Sequence, residues 1–399
     1  MSNIPKLRFP EFSGEWEKSE LGKFTQEITR VNPNSDAPIM MISAANGFIL
    51  QSNKYSKEMT GQSLKKYIEL HAGEFAYNHG ASKLKKYGAC FCLDLDKARI
   101  PFVYHCFKLT EGNTKFFSYL LNRTQLDSEL ARYISSSARM DGLLNISYAD
   151  YMKINISAPA LAEQQKIADF LSNVDSIITA ETKILNTLQK KKKALMQKLF
   201  TRQLRFKSDD GTDFPAWEEK KLGEIADIIT GTTPTSTVTE YYNGSFLWCS
   251  PADLGNTKII TKTNKTLSDI GKKKVRVIPK NSILVTCIGS TIGKIGIASE
   301  EMSTNQQINS IVLKNDNYEY IYYCIQEYFK YFEKFISKQA VPIISKNLFS
   351  EFLIPIPCKS EQQKIAICLS SMDSLIQNQQ KVVTTWQQRK KALLQQMFI

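Results

Sequence analysis

The sequence has no apolar run near the roughly 18 residues that a membrane-spanning helix needs. Its first residues, Met-Ser-Asn-Ile-Pro-Lys, lack the basic and then apolar layout of a signal peptide. The eight cysteines form no Cys-x-x-Cys pair, and the three histidines lie at no metal-ligand spacing. These absences predict a cytoplasmic chain that has no membrane partner, holds reduced core thiols and binds no metal.

The chain is long and basic. Its 399 residues predict two or three domains at roughly 150 residues each. Lys and Arg number 52 against 39 Asp and Glu, which gives a net charge of +13. Such an excess favours a polyanionic partner, although charge alone leaves open a basic protein with no nucleic-acid role.

An internal repeat dominates the sequence. The hexapeptide Glu-Gln-Gln-Lys-Ile-Ala begins at Glu163 and again at Glu361, a displacement of 198 residues. Residues 192–200 recur at 390–398 with the same displacement. Two copies of one helix, with the segment that leads into it, are therefore expected.

The front of each half repeats as well. A Leu-Arg-Phe tripeptide followed by Trp-Glu is found at residues 7–17 and again at 204–218, whereas residues 30–140 and 230–340 share little. The repeat therefore has a constant frame and a variable insert. Because the end of the second copy continues into the start of the first, we expect a cyclic repeat whose termini meet around a pseudo-twofold axis.

Both repeated helices carry a heptad seam, with apolar residues at alternating steps of four and three. No proline or glycine interrupts Leu161 to Phe200. Eight of ten seam positions are apolar in each copy, and these are the predicted interface residues: Ile167, Leu171, Val174, Ile178, Leu185, Leu188, Leu195 and Leu199 in the first, and Ile365, Leu369, Met372, Ile376, Val383, Trp386, Leu393 and Met397 in the second.

The polar seam positions also repeat, Glu181 with Gln379 and Lys192 with Lys390. Polar residues in a seam set register and orientation at a cost in stability. A helix buried against its own domain would show similar spacing, but 40 residues span about 60 Å, longer than such a domain. We therefore predict an antiparallel coiled coil.

The inserts have a mixed pattern of short β-branched and aromatic runs followed by helical stretches, which predicts two α+β domains of about 150 residues. Two basic loops, residues 80–88 and 289–296, each follow a predicted strand. Small, hydroxyl and basic residues on such loops suit phosphate and base-edge contacts. Solvated hairpin tips are the alternative.

Enzymatic motifs are scarce. The sequence Gly289-x-x-x-Gly293-Lys294-Ile295 is one residue too short for a Walker A loop, and isoleucine replaces the hydroxyl that would hold magnesium. All three histidines lie in the first half, whereas an enzyme built from two repeats would need its acids and bases twice. His79 fits a loop or base contact better than a general base. The sequence thus predicts a non-catalytic protein.

The order of variable insert, Glu-Gln-Gln-Lys-Ile-Ala helix, second insert and second helix resembles the specificity subunit of type I restriction-modification systems, HsdS. The resemblance covers the whole chain. It implies two target recognition domains and two conserved helices in an antiparallel coiled coil. We place the domains at 1–158 and 204–356, and the helices at 159–203 and 357–399.

The resemblance also implies partners. Two HsdM methyltransferase subunits are expected to dock on this chain, HsdR motor-nuclease subunits to join for cleavage, and double-stranded DNA to be the target. S-adenosylmethionine, ATP and magnesium would belong to those subunits, so no cofactor is expected in this chain.

No motif carries DNA-contact residues over from the family, so the predicted contacts rest on side-chain chemistry: Arg and Lys for guanine, Gln for adenine, hydroxyls for phosphate. Gln306 and Gln307 have a structural alternative, hydrogen bonding between strands. The predicted residues are Ser82, Lys83, Lys85, Lys86 and Arg139 in the first half and Ser290, Thr291, Lys294, Gln306 and Gln307 in the second.

Two other hypotheses about the function stay open. A coiled-coil scaffold with a non-DNA partner would show no salt-dependent DNA binding. A standalone DNA-binding regulator would act without methyltransferase subunits.

Overall fold

The computed structural model describes residues 3–53, 62–80, 82–134, 144–332 and 341–399. The chain divides into a first unit, Met1–Thr182 with Lys381–Ile399, and a second unit, Lys183–Gln380. Each unit therefore contains one α+β domain, half of one long helix and half of the other.

The first domain is built from short strands and three short helices before the first long helix. The strands are β1 Glu17–Glu20, β2 Thr25–Glu27, β3 Met40–Ser43, β4 Gly47–Leu50, β5 Ile68–His71, β6 Phe75–Asn78, β7 Ala89–Cys92, β8 Lys97–Ile100, β9 His105–Leu109 and β10 Asn155–Ala158; the helices are α1 Thr114–Leu121, α2 Asp127–Tyr133, α3 Tyr148–Met152 and the long α4 Leu161–Phe200.

In the described residues, the second domain has eleven strands against ten in the first. Its elements are β11 Glu218–Lys221, α5 Leu222–Ile225, β12 Ala226–Thr230, β13 Tyr242–Cys249, β14 Ile259–Ile260, β15 Lys265–Leu267, α6 Asp269–Lys272, β16 Val277–Ile278, β17 Ile283–Thr286, β18 Ile295–Ala298, β19 Met302–Thr304, β20 Ile308–Leu313, α7 Tyr318–Phe332, α8 Lys346–Ser350, β21 Leu353–Ile356 and the long α9 Lys359–Gln396.

One strand pair is common to both units. The Trp-Glu strand β1 pairs antiparallel with β10, placing Glu17 opposite Ala158, and β11 pairs in the same way with β21, placing Glu218 opposite Ile356. This pairing brings the front of each repeat beside the entry to its long helix. The two repeated patches of the sequence are therefore neighbours in each unit.

The remaining sheets differ between the units. The first has an antiparallel sheet in the order β2-β9-β6-β7 and the pairs β3-β4 and β5-β8. The second has a five-stranded sheet, β12-β20-β17-β18-β14, and a four-stranded sheet, β15-β13-β19-β16. In these, β14 runs parallel to β18, and β13 runs parallel to β19. The predicted combination of a constant frame and unlike inserts is confirmed.

The long helices pair antiparallel. In the first unit, Asp175 of α4 contacts Lys390 near the end of α9, and in the second unit, Lys192 near the end of α4 contacts Asp373 of α9. All sixteen predicted apolar seam residues are buried or half-buried. The predicted α+β fold with an antiparallel helical pair is confirmed, and each helix begins two residues inside its predicted segment.

The helix ends belong to the domain cores. In the first unit, Ile167 and Leu171 of α4 and Phe398 after α9 pack with Trp16 and Phe116 of the domain. The second unit repeats this arrangement with Leu199 and Phe200 of α4 and Ile365 of α9 beside Trp217 and Tyr320. Burial of this apolar surface fixes each domain to both helices. Within the described ranges, no helix is long and apolar enough to cross a membrane.

Candidate functional site

The first unit joins its domain to α4 through a buried carboxylate. Glu163, in the first turn of the helix, is 2% exposed. Arg8 donates from Nε to Oε1 at 2.8 Å and from Nη2 to Oε2 at 2.7 Å, and the indole Nε1 of Trp16 donates to Oε1 at 3.3 Å. The hydrogen bond to Glu163 raises the pKa of Arg8. A buried charge held by three donors in this way is compensated.

The second unit repeats that contact with its own residues. Glu361 is fully buried, and Arg205 donates to its two oxygens at 3.0 and 2.7 Å. Trp217 donates to Oε2 at 2.8 Å. The Leu-Arg-Phe and Trp-Glu segments therefore recur because their Arg and Trp hold the glutamate of the helical motif.

The Arg–Glu–Trp contact of each unit forms a joint between domain and long helix, and the glutamine after each glutamate adds further hydrogen bonds to it. Gln164 donates to the carbonyl of Pro159 at 2.8 Å and accepts from the backbone N–H of Asn113 at 2.9 Å. In the second unit, Gln362 donates to Pro357 at 3.0 Å and accepts from Asn317 at 2.9 Å. Asn113 also caps α1. The Glu-Gln-Gln motif is thus a structural link between domain and helix.

A second repeated contact ties the helix pair to the domain. In the first unit, the ammonium of Lys390 lies 2.5 Å from Asp175, and the hydroxyl of Tyr119 on α1 donates to Asp175 at 2.7 Å. The second unit has Lys192 at 2.5 Å from Asp373, which accepts from the hydroxyl of Tyr323 on α7.

Each lysine also lies over the ring of the tyrosine in its unit, at 5.2 Å for Lys390 and 5.1 Å for Lys192. Burial and the hydrogen bond to Asp175 raise the pKa of Tyr119, so this tyrosine stays a neutral donor. Three elements meet at one carboxylate in each unit, which fixes the register of the helices against the domain.

The first basic loop is a tight turn. Ser82 and Lys85 exchange backbone and side-chain hydrogen bonds, with the Lys85 N–H 3.0 Å from the Ser82 hydroxyl. Lys83 and Lys86 are exposed, and Lys86 lies 5.3 Å from the ring of Tyr87. Lys85 instead turns inward and donates to the carbonyl of Asn122 at the end of α1. Arg139 lies outside the described residues.

The second basic loop lies between β17 and β18. Ser290 is exposed and Thr291 half-buried, and the ammonium of Lys294 is 3.4 Å from the carbonyl of Pro251. The side chain of Lys294 also packs against Gly255. Neither loop is tested as a DNA contact by these positions, so all the loop residues remain predictions.

The two glutamines lie in the turn before β20. Gln306 is exposed and accepts from the hydroxyl of Thr233. Gln307 bonds the side chain of Asn305 at 2.9 Å and the carbonyl of Ile288 at 3.4 Å. Gln306 therefore keeps an exposed amide, while the amide of Gln307 is engaged in contacts between neighbouring segments.

His79, which directly precedes the first basic loop, is a structural residue of the first domain. The two ring nitrogens of His79 lie 2.8 Å from the carbonyl of Leu144 and 2.9 Å from that of Val103. The ring stacks on His105 with centroids 5.0 Å apart. In the described parts of the chain, no group of three or more His, Cys, Asp or Glu is arranged to hold a metal ion.

A sequence model of the family described as "Type I restriction modification DNA specificity domain" matches residues 68–190 and 216–385. The chain belongs to the family of type I restriction-modification specificity subunits. The resemblance inferred from the repeat is confirmed.

Individual members of the specificity-subunit family support this. The type I restriction enzyme MjaIX specificity subunit of Methanocaldococcus jannaschii is 32% identical over 190 residues, which cover 46% of this chain and 44% of that protein. This match therefore spans less than half the length of that relative. The putative MjaX specificity subunit of the same organism is 25% identical over 421 aligned positions, covering 98% of this chain and 95% of that protein.

Solved structures share the fold. The crystal structure of a type I restriction-modification S subunit from M. genitalium has a TM-score of 0.59 at 14% identity, covering 99% of each chain. A chain from a study of complex assembly and conformational transition of the type I restriction-modification system has a TM-score of 0.55 at 18% identity, covering 96% of this chain and 97% of that one.

The joint residues of this specificity subunit had a signal in the sequence but no assigned role. Arg8 and Trp16 repeat as Arg205 and Trp217, which marks them as part of the frame. Their glutamate partner could not be recognised from a local pattern, because Arg8 and Glu163 lie 155 positions apart in the sequence. A repeated arginine without an assigned acid and a repeated glutamate without an assigned base could have been matched.

Proposed function

We propose that this chain is a DNA-reading subunit in which each α+β domain recognises one half of an asymmetric bipartite target. The helical pair sets the spacer between the half-sites and docks adenine-N6 methyltransferase subunits. One observation carries the proposal: the same buried Arg–Glu–Trp contact holds two domains whose sheets, in the residues that the structure describes, differ in strand number and order.

The combination suits two different readers on one frame. Identical joints give each domain the same attachment to its helices, while unlike sheets and loops offer unlike surfaces. Base edges are distinguished by the side chains that reach them, so unlike surfaces read unlike sequences. The half-sites should accordingly differ.

The length and charge of the chain support a spaced DNA target. At 1.5 Å per residue, α4 spans about 60 Å. At about 3.4 Å per base pair, this length exceeds one turn of duplex DNA. The net charge of +13 favours contacts with phosphates along such a site.

The chemistry is assigned to other subunits. N6 methylation requires an adenine flipped into a pocket beside its methyl donor. We propose that two HsdM subunits supply that pocket and S-adenosylmethionine, and that HsdR subunits supply ATP- and magnesium-dependent cleavage. This chain then contributes recognition and positioning, without a catalytic step of its own.

The test is to map methylation with exchanged domains. The full chain is co-expressed with the methyltransferase subunit of its host, and N6-methyladenine is located on a plasmid by single-molecule sequencing. We expect one asymmetric bipartite motif. Replacing residues 30–140 by those of a related specificity subunit should change one half of the motif, and replacing residues 230–340 should change the other.

The matched exchanges separate the proposal from its rivals. The assignment of one half-site to each domain is wrong if the subunits co-purify and no methylated motif appears. It is also wrong if exchange of one domain alters both halves of the motif. A coiled-coil scaffold would show no salt-dependent DNA binding. A standalone regulator would bind a specific sequence without retaining the methyltransferase.

A further inference from the structure

The first unit contains a cavity of about 520 Å³ between the first basic loop, the end of α1 and the last turns of α9. Lys85 reaches it from the loop, and Lys115 and Arg123 reach it from α1 and the residues after it. Lys390 and Lys391 line it from α9. Five cationic side chains thus border one concave surface.

Arg123 is the most buried of these cations. Only 7% of the residue is exposed. Its Nη2 donates to the backbone oxygen of Ile399 at 2.9 Å, its Nε donates to the side chain of Gln125 at 3.3 Å, and the guanidinium lies 4.9 Å from the ring of Phe398. Its Nη1 is buried without a hydrogen-bond partner among the described residues.

The cavity lacks enough acids to balance its cations. Asp94 pairs with Lys115 at 2.9 Å, and Asp175 pairs with Lys390 at 2.5 Å. Within the described ranges, no Asp or Glu side chain opposes the effect of burial on Arg123, the most buried of these cations. Five cations and two carboxylates thus line the cavity, and Asp127 acts electrostatically on Lys85 from outside the lining.

This excess is energetically unfavourable without an anion. Burial lowers the pKa of Arg123 to about 10, and it lowers the pKa of Lys85 as well, although the charge of Asp127 partly opposes the shift of Lys85. Such shifts mark positive charges that are desolvated and poorly compensated. A buried charge is stable when it is paired and hydrogen-bonded, so an anion in the cavity would offset the cost.

The second unit provides a contrast. A cavity of about 340 Å³ adjoins Asp373, the counterpart of Asp175. Its Lys258 pairs with Glu319 at 2.7 Å, and its Lys294 is 3.4 Å from the carbonyl of Pro251. The lining of this cavity has two cations, Lys258 and Lys294, and one carboxylate, Asp373, so its excess of positive charge is smaller than that of the first cavity.

We propose that the cavity of the first unit binds a phosphate group. The oxygens of a phosphate accept paired hydrogen bonds from a guanidinium and single hydrogen bonds from lysine ammonium groups. The phosphate could be part of a DNA backbone, in which case the site extends the proposed recognition of DNA, or it could belong to a free phosphate compound. The experiment distinguishes the two sources.

Thermal unfolding of the full chain tests the site directly. Melting temperature is measured against pyrophosphate and against chloride at matched ionic strength. We expect a saturable rise in wild type that is lost in Arg123→Gln and at least halved in Lys391→Gln. Lys391 is exposed, so its replacement leaves the fold intact even where Arg123→Gln is poorly stable.

The control is Lys258→Gln in the second cavity, which should keep the wild-type response. Multivalent anions also stabilise proteins by exclusion from the surface, and that effect neither saturates nor depends on one side chain. An equal, unsaturated response in wild type and Lys391→Gln would overturn the proposal.

The source of the phosphate is read from salt dependence. If it is a DNA phosphate, Lys391→Gln should lower the slope of log affinity against log salt by about 0.9. An unchanged slope together with a saturable pyrophosphate effect assigns the site to a free phosphate compound. If wild type binds no DNA but pyrophosphate still acts through Arg123, the proposed function fails and the phosphate site stands.

Discussion

The ammonium of Lys390 lies 2.5 Å from the carboxylate of Asp175 across the helical pair. The equivalent residues of the other half, Lys192 and Asp373, lie at the same distance. Each lysine occupies a polar position of an otherwise apolar seam, and a shift of one helix by a single turn would separate it from its acid. The two ion pairs therefore specify both register and antiparallel orientation.

Replacing Asp175 by Asn should destabilise the first unit by about 1 kcal/mol, because it removes the ion pair with Lys390 and weakens the hydrogen bond from Tyr119. The loss is modest because the half-exposed ion pair is partly screened by solvent. The measurement is denaturant unfolding, with Lys390→Gln and the double variant to isolate the coupling. Asp169→Asn, an exposed change on the same helix, should have no effect. Additive single effects would contradict the interaction.

Replacing Glu361 by Gln should cost about 3 kcal/mol, because it leaves the guanidinium of Arg205 without its buried counterion. The unfolding free energy of the second unit is measured with urea. Glu219→Gln on the exposed face of β11 is the matched control and should match wild type. A loss below about 0.5 kcal/mol, within the range of ordinary surface changes, would show that the joint is not a stabilising contact.

The long helices could be predicted from sequence because their signal is local. Heptad spacing and the 198-residue repeat together define α4 and α9, and the repeat of Lys192 at Lys390 identifies the polar positions. The acids that pair with these lysines could be found in the same way, since Asp175 repeats as Asp373. Their contact depends on pairing two segments 215 residues apart, which no local pattern specifies.

The domain interiors were less predictable for the same physical reason. Strand β2 pairs with β9, so Thr25 lies opposite Leu109, and many loops of that length could close with similar entropy. Side-chain roles within a loop are also hidden. Lys83 and Lys85 are chemically alike in the sequence, yet the first is exposed and the second bonds the end of α1.

The first unit should lose stability in acid through His105. Its ring is half-buried against His79, and its Nε2 lies 3.0 Å from the carbonyl of Ile146. Burial lowers the pKa of His105 below 6.5, the value of the unfolded chain, so below that pH the unfolded state binds more protons. The contribution is present above pH 6.5 and disappears as pH falls through the folded-state pKa.

Urea unfolding between pH 7.5 and about 5 checks this prediction, since unperturbed histidine titrates near 6.5. The stability difference between wild type and His105→Gln should narrow as the pH falls. His71→Gln alters a histidine with an exposed side chain and should leave the loss in acid in place. A difference between wild type and His105→Gln that is constant with pH would contradict the assignment.

DNA binding should depend on the tip of the first basic loop. Lys83→Ala removes an exposed charge, so the fold should be unchanged while affinity falls by no more than about 3 kcal/mol. If Lys83 contacts a phosphate, the loss should be similar for all sequences and the salt slope should fall by about one. Fluorescence anisotropy with the cognate duplex measures the affinity and its salt dependence, and Lys18→Ala on β1 is the control for lost charge.

Lys294→Ala tests the second loop in the same assay. Wild-type affinity in both loop variants would contradict the assignment of the basic loops to DNA binding.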